Sequence, residues 1–314
     1  MKVTAGSHAL GEALKLVTRA ASKRSTVQIL SAVLLEAKAG VLTLSATDAE
    51  LSLVLRCGAK VERDGKAAIP ARMLADVVGS LPESDVTISA GGDKADAGAT
   101  ITAGRNSYTL RCYQAEDFPA LPAFPEGEGE SFSVPTGELT EAIERVGGAA
   151  STDETRQALT GLLVHFGEGS LKMVATDSYR LAVHTGEISG GPVGEKAAVI
   201  PAPALSLVSR IGSLSDEARV AVGENSAMFR CGAVVLSTRL IADSFPEYQR
   251  LLPDGYEREF SVDAAALRET LRRVNLFSGA SRGSSKGSPG QPISLSFSAD
   301  SGEQGSLSDR KSVV

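Results

Sequence analysis

Apolar side chains recur along the chain at two spacings, and the switches between them mark out elements. Ala9, Leu10, Ala13, Leu14 and Val17 line up as one helical stripe, the pattern of a helix that buries a single face. The stripe returns at Leu139, Ala142, Ile143 and Val146, and again at Leu267, Leu271 and Val274. After each of the first two stripes come alternating or continuous apolar runs around Ala39-Gly40 and Glu168-Gly169, which read as hairpins. Pro70 and Pro201 then start second helices in their first turns, the first of which carries Met73, Leu74, Val77, Val78 and Leu81. Short antiparallel strands follow. The fold class is α+β, with two helices packed on antiparallel sheet in each stretch.

The stretches are copies of one another. Leu42-Thr43-Leu44-Ser45-Ala46-Thr47-Asp48 is answered by Leu171-Lys172-Met173-Val174-Ala175-Thr176-Asp177, 129 residues later. Leu10 pairs with Leu139 and Ala20-Ala21-Ser22 with Ala149-Ala150-Ser151 at the same offset. Ile69-Pro70-Ala71 matches Ile200-Pro201-Ala202 at 131, and Phe118-Pro119 matches Phe245-Pro246 at 127, drifts that surface-loop insertions produce. A third helix stripe begins on schedule, and Pro292-Ile293-Ser294-Leu295-Ser296-Phe297 reads as a following strand. The expected domains are therefore 1–128, 129–253 and an incomplete third copy over 254–314.

Composition narrows the chemistry. With 42% hydrophobic residues, 22% charged and no Trp, the 314 residues have the profile of a globular protein with an aliphatic core. No apolar run approaches the ~18 residues that span a bilayer, and no signal peptide opens the chain, which places it in the cytoplasm. Cys57, Cys112 and Cys231 match no metal spacing and are expected as buried thiols. His8, His165 and His184 form no ligand pattern, so no metal and no cofactor are expected. The 279–288 segment has Lys286-Gly287-Ser288, the wrong order for a phosphate-binding loop. Asp48 and Asp177 occupy equivalent positions in separate copies and are expected to bond to turn backbone rather than act as a catalytic pair. Nothing assembles a nucleophile, base and oxyanion site, so the chain is not expected to be an enzyme.

A net charge of −6 argues against a whole-surface nucleic-acid binder. The basic residues nevertheless recur at related places: Lys15, Arg19, Arg145, Arg268, Arg272 and Arg273 on the opening helices, Lys23-Arg24 after the first, and Arg72 and Arg210 on the second helices. Modules arranged about an axis would aim these at one surface suited to sequence-independent phosphate contact.

Glu154-Thr155-Arg156-Gln157-Ala158-Leu159-Thr160-Gly161, Val174-Ala175-Thr176-Asp177-Ser178-Tyr179-Arg180-Leu181-Ala182-Val183, Ile69-Pro70-Ala71-Arg72 and Ser244-Phe245-Pro246-Glu247-Tyr248-Gln249-Arg250-Leu251-Leu252-Pro253 resemble the bacterial DNA polymerase III beta subunit, the sliding-clamp family. The resemblance covers residues 1 to about 300 and implies repeated DNA-clamp modules, a homodimeric ring around double-stranded DNA, and a non-catalytic processivity role in DNA replication. It implies as partners the α subunit of the replicative polymerase, the clamp loader and other proteins with a clamp-binding motif, and no membrane.

Carried over by position, the peptide-binding pocket comprises Leu159, Thr176, Ser178, Tyr179, Arg180, Leu181, Pro246, Arg250 and Leu251. The DNA-binding set is Lys23, Arg24, Arg72, Arg145, Arg156 and Arg210. The dimer interface is Val77, Tyr108 and Leu110 on one side and Leu276 and Phe277 on the other. An incomplete third module predicts a weakened or absent ring. The alternative is a truncated homologue that captures clamp-binding peptides or inhibitors as a decoy without encircling DNA.

Overall fold

The computed structural model describes residues 1–22, 25–82, 84–91, 98–127, 129–252, 255, 261–278, 295–298 and 306–309. Residues 1–246 form one compact unit and 247–314 a second.

The first unit contains both full copies. In the first, strand β1 (Lys2–Gly6) leads into helix α1 (Ser7–Val17), followed by β2 (Ala32–Lys38), β3 (Val41–Thr47), β4 (Leu51–Gly58), β5 (Lys60–Arg63) and β6 (Gly65–Pro70). Helix α2 (Ala71–Ser80) then precedes β7 (Asp85–Ser89), β8 (Ala99–Ala103) and β9 (Asn106–Leu110). The second copy repeats the order: β10 (Phe132–Pro135), α3 (Thr136–Gly147), β11 (Gly161–Gly167), β12 (Ser170–Thr176), β13 (Leu181–Glu187), β14 (Lys196–Pro201), α4 (Ala202–Gly212), β15 (Glu217–Val222), β16 (Ser226–Cys231) and β17 (Val234–Arg239). The class is α+β, as the pattern required.

The helical stripes bury as their spacing demands. Leu10, Ala13, Leu14 and Val17 of α1 are buried, and so are Leu139, Ala142, Ile143 and Val146 of α3. Two expected stripe members lie outside it. Ala9 is exposed, and Met73 is 54% exposed, because each sits at the edge of an arc already filled by Leu10 and Leu74. The prolines expected in the first helical turn instead end strands β6 and β14, and serve as N-caps with extended backbone. A proline φ suits a strand end as well as a helix start, so sequence alone misplaces it by one residue. Pro203 is the proline inside the first turn of α4.

Both hairpins turn where glycine permits a positive φ, at Gly40 (78°) and Gly169 (71°). Their neighbours are registered alike: Val33 faces Ile69 across β2 and β6, and Leu162 faces Ile200 across β11 and β14. Only one cysteine is deeply buried. Cys231 has its thiol pushed up to about 11 by desolvation, while Cys57 and Cys112 are half-buried with thiols raised by the same cause; all are free.

Non-local pairing decides the architecture. The first copy forms a sheet of order β5-β1-β7-β8-β9, and the second a sheet of order β13-β12-β11-β14. The remaining strands of both copies join in one eight-stranded sheet, β10-β15-β16-β17-β4-β3-β2-β6. The join is antiparallel, with Leu236 opposite Leu53 and Ser237 opposite Ser52, and both leucines are fully buried. Helices α1 and α2 pack together over the first copy, and α3 and α4 over the second.

The connection between copies is held down on this sheet. Phe124 is 6% exposed against Ala221 and Met228. The Arg230 guanidinium lies 4.2 Å from its ring centroid and that of Arg219 5.6 Å, an arrangement favoured by the negative face of the ring. Glu126 ties both arginines, at 2.6 Å from Arg230 and 3.6 Å from Arg219, and the Arg230 hydrogen bond holds its carboxyl below the usual range.

In the second unit, helix α5 (Ala264–Ser278) half-buries Leu267, Leu271 and Val274, the expected stripe. Strands β18 (Leu295–Ser298) and β19 (Ser306–Asp309) form an antiparallel pair, so the strand expected over 292–297 begins at Leu295 among the described residues. The 279–288 segment lies outside the described residues.

Truncating Leu53 to Ala removes a side chain from the shared sheet and should cost about 2–5 kcal/mol. Urea denaturation followed by probes in both copies should show one coincident transition of the 1–246 unit at a lower midpoint. Two separate transitions would mean that the copies fold independently.

Candidate functional site

The residues carried over as a pocket come together in large part through one turn. Strand β12 ends at Thr176 and β13 starts at Leu181, its registered partner. The Thr176 hydroxyl donates to the Arg180 carbonyl at 2.8 Å and accepts from the Ser178 N–H at 3.1 Å. The Asp177 carboxylate accepts the N–H groups of Tyr179 and Arg180, at 2.9 and 3.0 Å, and the Arg180 guanidinium at 3.0 Å. Desolvation alone would raise the Asp177 pKa, but these bonds outweigh it and hold the carboxyl below its ordinary value. Ser178 takes a φ of +77°, which throws Tyr179 outward to 89% exposure.

The first copy builds the same turn. Thr47 donates to the Leu51 carbonyl at 2.8 Å and accepts from Ala49, whose φ is +82°. Asp48 accepts the N–H groups of Glu50 and Leu51, at 3.0 and 2.8 Å. Asp48 and Asp177 therefore set backbone, each within its own turn, as expected from their place at a strand end.

Leu159 is 6% exposed in the short 3-10 helix Gln157–Thr160 that enters β11. The chain after β17 returns along the neighbouring strand, where the Ile241 N–H donates to the Val199 carbonyl at 2.9 Å. Gly161 makes this approach possible, since a Cβ there would meet Ile241 Cδ1 at 2.7 Å and the Ile200 carbonyl at 2.9 Å. Pro246, exposed, closes the first unit. Arg250 and Leu251 belong to the second unit, in the short helix Tyr248–Leu251. There Arg250 pairs with Glu247 at 2.9 Å, and Leu251 is 68% exposed.

The basic set is more divided. Arg72 on α2 and Arg210 in the last turn of α4 are exposed and make no ion pair among the described residues. Arg210 lines a cleft of about 740 Å³ between α3 and α4, together with Glu144, whose carboxylate accepts from Ser209 at 3.2 Å. Arg145 pairs with Glu141 one helical turn away. Arg156, expected as a DNA contact, lies beside the pocket turn: its guanidinium donates to the Ser178 hydroxyl at 3.0 Å and to Asp153 at 3.3 Å. Each acidic partner lies three or four residues from its arginine and is readable in the sequence, and Asp153 makes the Arg156 loop the weaker electrostatic candidate. Lys23 and Arg24 lie outside the described residues, as do the side chains of Leu276 and Phe277. Val77 is half-buried on α2, and Tyr108 (40% exposed) and Leu110 (buried) lie on β9, an edge of its sheet.

Comparison with known proteins agrees with the duplicated geometry. Residues 1–122 match the family model of the DNA polymerase III beta subunit N-terminal domain, and residues 133–247 match that of its central domain. The chain belongs to the DNA polymerase III beta subunit family. The beta sliding clamp of Synechocystis sp. is 34% identical over 296 residues, covering 88% of this chain and 75% of the relative. The beta sliding clamp of Caulobacter vibrioides is 32% identical over 87% of this chain and 74% of its own length. Among solved structures, the Pseudomonas aeruginosa sliding clamp bound to griselimycin superposes with a TM-score of 0.80 at 29% identity, covering 88% of this chain and 74% of that one. The C. crescentus clamp gives 0.82 at 28%, covering 98% and 83%. Clamps of this family act in DNA replication as non-catalytic processivity subunits. No helix among the described residues is long and apolar enough to cross a membrane.

Because Asp177 is depressed in the folded state, the stability its charge adds is present above the unfolded value of ~3.9 and is lost as pH falls through the folded value. The stability difference between the native chain and Asp177→Asn, measured by urea titration, should therefore be largest near neutral pH and shrink below about pH 4. A difference independent of pH would remove the charge from the account of this turn.

Proposed function

We propose that the second-copy turn, Leu159 and the segment around Pro246 form the seat of a short extended peptide from the replicative polymerase, the clamp loader or another clamp-bound partner. Arg250 and Leu251 match the same family positions by sequence and lie in the second unit. The observation that carries the reading is the turn itself, which stiffens Thr176 to Leu181 through bonds from Thr176 and Asp177 and leaves Tyr179 free to cover a ligand. Such a rigid turn, with Leu159 and Leu181 beside it, can seat hydrophobic anchors of an extended segment at low ordering cost. The similar Pseudomonas aeruginosa clamp binds griselimycin, which supports a ligand-binding role within the family.

In this reading duplex DNA is met without base recognition by Lys23, Arg24, Arg72 and Arg210. Arg145 and Arg156 contribute less, since carboxylates already neutralise them. Among the described residues strand β9 is the edge of its sheet, and it would offer Tyr108 and Leu110 to a second subunit, beside Val77. Leu276 and Phe277 are assigned to the complementary side. The protein works in the cytoplasm, with the two copies and the residues after 246 as clamp modules. The clamp reading is favoured over a peptide-capturing decoy by the relatives, which carry the clamp name along most of the chain.

Retention on nicked circular DNA after treatment with clamp loader, and release once the circle is cut, is the expected behaviour of an encircling clamp. Equal retention on both forms would favour the decoy. Leu181→Ala with Pro246→Ala should weaken binding of a peptide from the polymerase α subunit by about 2–4 kcal/mol in calorimetry. Unchanged affinity would move the seat elsewhere. Arg24→Ala should lower the slope of log K against log salt by about one; an unchanged slope would remove Arg24 from the phosphate contacts.

A further inference from the structure

The two strands that join the copies have counterparts elsewhere in the unit, and those counterparts are open. Strand β9 is the counterpart of β17: Gly104 and Gly232 turn with φ of +58° and +57°, and Asn106 is registered on Ala103 as Val234 is on Cys231. Strand β13 is the counterpart of β4, since Leu181 pairs with Thr176 as Ser52 pairs with Thr47. Whereas β17 and β4 pair with each other, β9 and β13 are both sheet edges among the described residues. Burial records the difference. Leu236 and Ser237 of β17 are buried, but Tyr108 and Thr109, in the same places on β9, are exposed. Leu53 of β4 is buried, while its counterpart Ala182 is half-buried and the next residue, Val183, is 39% exposed.

The other edges of the first unit are defended. Strands β5, β6 and β14 carry a Lys, and β6, β10 and β14 a Pro, residues that discourage a further strand from pairing. Strands β9 and β13 carry neither. The two undefended edges are therefore the counterparts of the two strands that already recognise each other.

We infer that β9 of one copy of this chain docks antiparallel on β13 of a second copy, in the register of the β17–β4 join. Tyr108 then lies opposite Ala182, where the join sets Leu236 opposite Leu53, so a large side chain against a small one replaces two of middle size. Arg105 falls one diagonal step from Glu187, within reach for an ion pair across the strands. Both are exposed, and neither makes an ion pair among the described residues. The contact is head-to-tail, with a different edge of each copy on either side of it. It also adds a wall to the pocket turn. At the existing join the Thr47–Ser52 turn and the end of β17 wall a cleft of about 680 Å³. In the docked pair Thr109 and Leu110 of the second copy stand where Ser237 and Thr238 line that cleft, beside Thr176 and Leu181. This rests on β9 being a subunit edge, as proposed above, but sets β13 rather than Leu276 and Phe277 across from it.

Sedimentation velocity of the full chain over a range of concentrations should show reversible self-association. Val183→Lys, which charges the β13 edge, and Tyr108→Lys, which charges β9, should each abolish it, with thermal melts confirming that both variants fold. Arg105→Glu should weaken association about tenfold, and Arg105→Glu combined with Glu187→Arg should return it to within about twofold of the native chain. A chain that stays monomeric at every concentration, or a double reversal no better than the single one, would overturn the pairing. Loss with Tyr108→Lys but not with Val183→Lys would overturn it too, while keeping β9 as a subunit edge with another complement. Loss with neither would remove β9 itself from the subunit contact.

Discussion

Five cross-strand pairs between β17 and β4, from Val234–Leu55 to Thr238–Leu51, are the contact on which the first unit depends. They turn two four-stranded halves into a single eight-stranded sheet and leave no free edge at the copy boundary. Leu53 and Leu236 meet there at zero exposure, so the join is core rather than surface contact. The helices follow from it: with the sheet continuous across the boundary, each helix pair needs only to cover its own copy. The cleft beside Ser52 and Ser237 also follows, since it is walled by a turn of one copy and strand ends of the other.

Much of this was legible before any coordinates. The apolar stripes and the glycine turns are local signals, which survive folding, and the 129-residue repeat is read by matching the chain against itself. The turns at Asp48 and Asp177 were legible for the same reason, because an Asp two or three residues before the N–H it accepts leaves a mark in the sequence. The errors have physical causes too. A proline φ fits both a strand end and a first helical turn, so Pro70 and Pro201 were placed one residue too late. Ala9 and Met73 lie at the margin of a helical arc, where periodicity no longer distinguishes buried from exposed.

The candidate site was harder. Which strands pair across 180 residues of sequence leaves no periodic trace, so the meeting of Ser52 with Ser237 had no sequence signal at all. Glu141 lies one turn from Arg145 and Asp153 three residues from Arg156, so the recurrence of basic residues in the sequence overstates the charge they offer. A positive residue contributes to a field only as far as its neighbours leave it unpaired, and that is a question of geometry. Duplication adds a general point. The residues that fix the turn, Thr and Asp, are the same in both copies, whereas the tip and the first strand position differ: Ala49, Glu50, Leu51 and Ser52 against Ser178, Tyr179, Arg180 and Leu181.

The connection between the copies bears on a hazard particular to duplicated chains. Two modules built to one plan can exchange equivalent elements with those of a neighbouring molecule, since each half recognises its counterpart's partner. Phe124, seated on Ala221 and Met228 and covered by Arg230 and Arg219, anchors the connector to the sheet of the copy that follows it in the same chain. Each contact of the aromatic anchor is lost if the connector leaves its own second copy, so the anchor weighs against such an exchange.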